Sequence, residues 1–117
     1  MINPLSRFAP FLVGDFPKPF LELLSGVTHH EKLSEDELKG ILWKAYEFGL
    51  RHHEGQKRLS GEPYFESHCV EVAKILANWN MDHVTIIGGL LHDTIEDTDA
   101  TLEDIEEIFG SDVANLV

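Results

Sequence analysis

A single cysteine, Cys69, stands in 117 residues. One thiol closes no internal disulfide and supplies no Cys-based zinc site, which points to a reducing compartment, the cytoplasm. Basic residues are scarce too: 9 Lys and Arg face 21 Asp and Glu, for a formal net charge of −12. None lies beyond Lys74, whereas residues 75–117 hold ten carboxylates, so −10 of the −12 falls in the last 43 residues. Acidic surface repels phosphate backbones, which argues against duplex nucleic acid as a partner. The cations available to an anion concentrate in Arg51-His52-His53-Glu54-Gly55-Gln56-Lys57-Arg58. Long apolar runs are missing as well. Ile86-Ile87-Gly88-Gly89-Leu90-Leu91 falls far short of the ~20 residues that span a bilayer, so no membrane partner is expected. Residues 1–24 lack the basic start, apolar stretch and cleavage site of a secretory signal. With 43% hydrophobic residues the chain is too apolar for disorder and long enough for one modest core.

Four of the five prolines and four phenylalanines fall in residues 1–33, which read as an apolar arm with at most a short helix opened by Pro19 over residues 20–24. An extended lead-in over the core and a contact to another domain or subunit are both open to it. From Ser34 the signals are helical. Ser34 and Glu37 form a capping box, and Leu38, Ile41, Leu42, Ala45 and Phe48 or Gly49 draw one apolar face ending near His53. Ser60-Gly61-Glu62-Pro63 marks residues 56–66 as a loop. A second helix over 67–79 points Val70, Ala73, Leu76 and Ala77 inward, and Asp82 caps a third through Val84, Ile87, Leu90 and Leu91. Gly88 and Gly89 cost that helix on the order of 2 kcal/mol, tolerable where another backbone approaches closely. Thr101 and Asp104 open a fourth through Leu102, Ile105 and Ile108, with Gly110 as its stop. No segment alternates as a strand does, so the expected fold class is all-α. Residues 111–117 open a further helix that breaks off, as expected of a fragment of a longer protein.

The chemistry concentrates in Leu90-Leu91-His92-Asp93-Thr94-Ile95-Glu96-Asp97-Thr98. On a helix, His92 shares a face with Glu96 and Asp93 with Asp97, while adjacent His92 and Asp93 diverge by about 100° and can bracket an ion. A carboxylate beside an apolar helix needs compensation, and a divalent cation supplies it. Mixed imidazole and carboxylate donors suit Mn²⁺, Fe²⁺ or Zn²⁺ better than Ca²⁺. His68 is the best-placed further imidazole. His52 and His53 read as polar residues beside the loop, and His29, His30 and His83 as surface.

These residues sit within a larger pattern: His53-Glu54-Gly55-Gln56-Lys57-Arg58, Ser60-Gly61-Glu62-Pro63-Tyr64, His68 with Val70-Glu71-Val72-Ala73-Lys74-Ile75-Leu76-Ala77, the segment from Leu90 to Thr98, and the run from Ile105 to Val117. Over residues 56–117 this resembles the N-terminal HD hydrolase domain of the RelA/SpoT homologues, which make and degrade the alarmone (p)ppGpp. The resemblance implies an HD-domain, phosphodiesterase-like helical bundle truncated at its C-terminal end, with a Pro/Phe-rich arm over 1–33 and a partial hydrolase domain over 34–117. It makes His68, His92 and Asp93 ligands of Mn²⁺, and Glu96 and Asp97 the catalytic carboxylates that position or activate water. Arg58, Ser60 and Tyr64 are implied to face the substrate. The implied reaction removes the 3′-pyrophosphate of (p)ppGpp, in a parent chain that also carries a synthetase domain. Four of the late carboxylates, Asp93, Glu96, Asp97 and Asp99, would then cluster around the ion.

The chain departs from the family pattern at three places. Three residues separate Tyr64 from His68 where the family usually has two; Leu59 replaces a commonly basic residue, and Cys69 a proline. The family's fourth ligand, an aspartate on a later helix, would fall beyond Val117, so residues 1–117 alone are expected to bind Mn²⁺ weakly and to hydrolyse little. A regulatory HD domain packed on a synthetase domain without catalysis is the alternative, and an HD phosphohydrolase for another nucleotide a third. An oligomer formed through the apolar arm stays open.

Overall fold

The computed structural model of the chain describes residues 16–28 and 32–117. The expectations for Phe8, Phe11, His29 and His30 therefore lie outside the described residues. Among the described residues there are helices and one isolated bridge, Lys57 to Pro63, and no strand, as expected of an all-α domain.

Helix α1, Lys18–Gly26, starts with a proline in its first turn, where a missing N–H costs nothing. It is longer than the 20–24 segment read from the sequence. It buries Phe20 and Leu23 completely, so this part of the arm is helical and packs on the core. Helix α2, Glu35–His52, opens with the expected capping box: Ser34 Oγ accepts from Glu37 N–H at 3.1 Å and Glu37 Oε1 accepts from Ser34 N–H at 3.0 Å. Three carboxylates in its first turn and Arg51 and His52 in its last favour the helix dipole.

Besides the expected Leu38, Leu42 and Ala45, α2 buries Trp43 and Tyr46, while Ile41 is only partly buried. The two extra residues face α1. Trp43 and Tyr46 stack with centroids 5.6 Å apart, and the Phe20 ring meets both edge-on at 5.1 and 5.3 Å. Phe65 continues the series from Tyr46 at 5.3 Å.

Residues 56–64 form a loop two residues shorter than the 56–66 expected, because a helical turn already starts at Phe65. It is closed by Arg58 N–H to Glu62 O and Gly61 N–H to Arg58 O, both 2.8 Å, with Gly61 at φ 93° where other residues are strained. A π turn, Phe65–Cys69, leads without a break into α3, Val70–Asn78, whose Val70, Ala73 and Ala77 face the core. Helix α4, His83–Leu91, is capped by Asp82 and buried from Ile86 to Leu91. Of its two glycines only Gly89 meets a close approach: a Cβ there would lie 2.7 Å from Leu76 Cδ1 and 3.6 Å from the Ala73 backbone, whereas one on Gly88 would make ordinary contact with the Leu116 side chain at 3.4 Å.

A short α5, Thr94–Asp97, follows, then α6, Leu102–Phe109, and α7, Ser111–Leu116. Thr101 and Asp104 make the second expected capping box. The inward face of α6 differs from the periodicity reading: Ile105 and Phe109 are buried, whereas Leu102 and Ile108 are 46% and 39% exposed. Gly110, at φ 92°, separates α6 from α7.

Gly49 is the tightest point of α2, since a Cβ there would lie 2.2 Å from Phe65 Cε1. Overpacking costs up to about 3 kcal/mol, and alanine returns roughly 1 kcal/mol of helix propensity. Gly49→Ala should therefore lower stability by about 2 kcal/mol in denaturant unfolding. A neutral result would show that the Phe65 ring is not held in place.

Candidate metal centre

Three side chains from two parts of the fold converge. His92 closes α4, Asp93 follows it, and His68 comes from the π turn. His92 Nε2 lies 3.0 Å and His68 Nε2 3.3 Å from Asp93 Oδ2, and the two Nε2 atoms are 3.3 Å apart. Among the described residues this is the one group of three or more such donors able to share an ion.

The donor chemistry fits a divalent cation. His92 Nδ1 lies 2.6 Å from the Gly89 carbonyl, which can only accept, so Nδ1 carries a proton and Nε2 of the neutral ring presents its lone pair to the cluster. Two imidazole nitrogens and a carboxylate oxygen aimed at one another repel unless protons or a cation stand between them. Nitrogen and oxygen donors together suit Mn²⁺, Fe²⁺ or Zn²⁺.

The π turn explains how His68 arrives there. Three residues separate Tyr64 from His68, and the wider turn takes up the spacing, with Val70 N–H reaching Phe65 O. Phe65 and Cys69, at its two ends, are buried.

Tyr64 lies beside the cluster and donates its hydroxyl to Asp93 Oδ2 at 2.5 Å, with its ring 5.3 Å from that of His68. Arg58 is exposed and donates to Ser67 O at 3.3 Å, Ser60 is exposed in the loop, and Leu59 stands fully in solvent. An open cleft of about 410 Å³ borders this region; its lining includes Arg51, His53, Gln56, Tyr64 and Glu66 but none of the three converging residues.

Glu96 and Asp97 are exposed on α5. The helix expected to carry them on from His92 is interrupted, with Asp93 at φ −97°, ψ −2°. Asp97 N–H still bonds Asp93 O at 2.9 Å, so those two remain one turn apart. Asp99 is turned away from the cluster towards His52, with His52 Nδ1 and Asp99 Oδ1 3.3 Å apart. His53, expected as a polar residue beside the loop, is 2% exposed and hydrogen-bonded on both ring nitrogens. Sequence reading passed over it because burial of one histidine of an adjacent pair leaves no mark in the polarity pattern; the Gln three residues on was the available signal.

The carboxylates set the local field. Tyr64 is pushed above its ordinary value by its bond to Asp93, then by burial and the charges of Asp93 and Asp97. Burial, followed by the same two charges, pushes the Cys69 thiol up to about 12, so it stays protonated and is no nucleophile. Tyr46 is likewise raised, first by burial and then by Glu66, whose Oε2 accepts its hydroxyl at 3.3 Å.

Residues 45–117 match the family profile described as HD domain. The chain is 46% identical over 91 residues to a protein named GTP pyrophosphokinase rsh in Brucella melitensis, covering 78% of this chain and 12% of the relative. It is 48% identical over 91 residues to the guanosine-3′,5′-bis(diphosphate) 3′-pyrophosphohydrolase of Aquifex aeolicus, with the same coverage of 78% and 12%. It is 52% identical over 85 residues to the bifunctional (p)ppGpp synthase/hydrolase SpoT of Escherichia coli K12, covering 73% of this chain and 12% of that one. The chain thus spans about 12% of the length of these relatives.

Both tyrosines of the chain keep their protons past the ordinary value of 10.0. Above about pH 10 the unfolded chain loses protons that the folded one retains, so stability falls as pH rises from there. Ultraviolet titration of the metal-free protein should show no phenolate until it unfolds. Ionisation of a tyrosine near about pH 10 in the folded protein would contradict the Tyr64–Asp93 bond.

Proposed function

The chain belongs to the HD-domain family, in its RelA/SpoT branch, and from that premise we propose that it is the part of a metal-dependent hydrolase that removes the 3′-pyrophosphate of (p)ppGpp. The observation that carries this reading is the convergence of His68 Nε2, His92 Nε2 and Asp93 Oδ2, with His92 Nδ1 committed to a backbone carbonyl. His68, His92 and Asp93 would hold the ion, taken here as Mn²⁺, and residues 34–117 would belong to the hydrolase domain of a parent chain that also carries a synthetase domain. Its setting would be the cytoplasm.

The chemistry a divalent cation supplies when bound is charge neutralisation at phosphoryl oxygens and acidification of nearby water. The chain's own residues do the rest. Exposed and one residue apart on α5, Glu96 and Asp97 offer carboxylate oxygens that orient the attacking water and accept its proton. Arg58, anchored through Ser67 O beside His68, offers its remaining donors to the substrate's phosphates. Ser60 and Tyr64 flank it, and Tyr64 also steadies Asp93 through its hydroxyl.

Manganese at about 100 times its Kd should stabilise the protein by about 2.7 kcal/mol, read as a rise in Tm, and His92→Ala should abolish the rise. In a pyrophosphate-release assay of the full-length parent chain with ppGpp, Glu96→Gln or Asp97→Asn should lower kcat by about 10²- to 10⁴-fold while the Mn²⁺ Kd stays within a few-fold. A full-length parent chain that binds Mn²⁺ yet releases no pyrophosphate would sink the hydrolase reading and leave a regulatory HD domain. Cleavage of another nucleotide in preference to ppGpp would correct the substrate.

A further inference from the structure

His53 and Gln56 lie outside the set proposed to touch ion or substrate, yet they join three separate pieces of the site. Gln56 Nε2 lies 2.7 Å from the Asp97 carbonyl, which can only accept, so the amide nitrogen points there and Oε1 faces the other way. Oε1 lies 2.8 Å from His53 Nδ1 and can only accept, so Nδ1 carries the proton. In the neutral ring Nε2 is then the acceptor, and Thr94 Oγ1–H, 3.4 Å away and fully buried, donates to it. The result is a directed chain, Thr94 to His53 to Gln56 to Asp97, that leaves α5 at its first residue and returns at its last.

We infer that His53 and Gln56 are positioning residues: a hydrogen-bond strut that pins both ends of α5, and with it Glu96 and Asp97, to the end of α2. A four-residue helix has too few internal bonds to hold itself. Two of them, Asp97 N–H to Asp93 O at 2.9 Å and Thr98 N–H to Thr94 O at 3.1 Å, close the turn, and the strut adds an external tie at each end. The same glutamine also fixes the loop, because its backbone carbonyl accepts from Tyr64 N–H at 2.9 Å. His53 is itself clamped between rings, 5.5 Å from Tyr64 and stacked 5.8 Å from Phe65. The buried His53 and the partly exposed Gln56 thus set the position of the carboxylate turn relative to Tyr64, and through Tyr64 relative to Asp93. The catalytic meaning of the strut rests on the hydrolase reading; its existence does not.

Nitrogen-15 NMR of the metal-free chain reads the strut directly. His53 should show the Nδ1–H tautomer, and an Nε2–H tautomer overturns the inference. Gln56→Leu removes both side-chain bonds, whereas Gln56→Glu keeps the size and the acceptor and loses the donor to Asp97. In each, amide exchange at Asp97 and Thr98 should quicken by about tenfold or more while α3 and α4 amides keep their protection. Unchanged exchange at those two amides overturns the strut, and should Gln56→Leu fail to fold, Gln56→Glu and the wild-type tautomer decide. In the ppGpp assay Gln56→Glu should lower kcat about tenfold or more with KM and the Mn²⁺ Kd within about threefold, and an unchanged kcat overturns the positioning role. That assay is made on the full-length parent chain; if the wild-type parent hydrolyses nothing, the hydrolase reading fails, while tautomer and exchange still judge the strut.

Discussion

The carboxylate of Asp93 sets the terms for the surrounding structure. Its Oδ2 receives the Tyr64 hydroxyl and faces two imidazole nitrogens, and its side chain is only one-fifth exposed at 20%. Negative charge that is mostly buried needs compensation, and the chain offers no lysine or arginine after Lys74 to provide it. Arg58, the cation anchored beside the cluster, spends one guanidinium N–H on Ser67 O. Protons shared with the histidines, or a cation in their place, are what remain. The neighbouring features serve this arrangement: the Gly89 carbonyl fixes the His92 ring, and the fully apolar end of α4 holds that carbonyl in place.

A continuous series of rings ties this centre to the rest of the core. It passes from Phe20 to Tyr46 and Phe65, on to His53 and Tyr64, and through His68 to His92, each step between 5.2 and 5.8 Å. Aromatic pairs at such separations favour defined relative orientations, so packing of α1 against α2 constrains the imidazoles. The close fit of Phe65 over Gly49 is the narrowest link.

Local rules written into the sequence survived folding. The capping boxes at Ser34 and Thr101, the proline-opened α1 and the loop around Gly61 are all decided by residues a few positions apart. What depends on distant partners did not show. Trp43 and Tyr46 lie beside the stripe drawn by Leu38, Leu42 and Ala45, and only the arrival of α1 makes their side a second interior face. Leu102 and Ile108 share helical spacing with Ile105, but the buried partner is Phe109, whose ring meets Phe48 edge-on at 5.7 Å. At the site, donor type and adjacency singled out His92 and Asp93, and the family resemblance joined His68 to them; the three do converge. Asp99, past the end of α5, pairs with His52 instead, and the helix expected to carry Glu96 on from His92 is interrupted at Asp93.

The three residues between Tyr64 and His68, one more than the family resemblance leads one to expect, show why a local rule can bend while His68 keeps its place. An insertion usually escapes into a loop, where backbone groups are solvated. Here both ends are held: Phe65 is buried against Tyr46 and Gly49, and Cys69 and Val70 are fully buried at the start of α3. Expelling the residue would uncover one of these. Widening the turn keeps Phe65 and Cys69 buried and satisfies the backbone through the Val70 N–H to Phe65 O bond. It also leaves Glu66 within reach of the Tyr46 hydroxyl and His68 facing Asp93. The π turn is therefore the form of this segment that keeps two buried anchors and one site histidine in place at once.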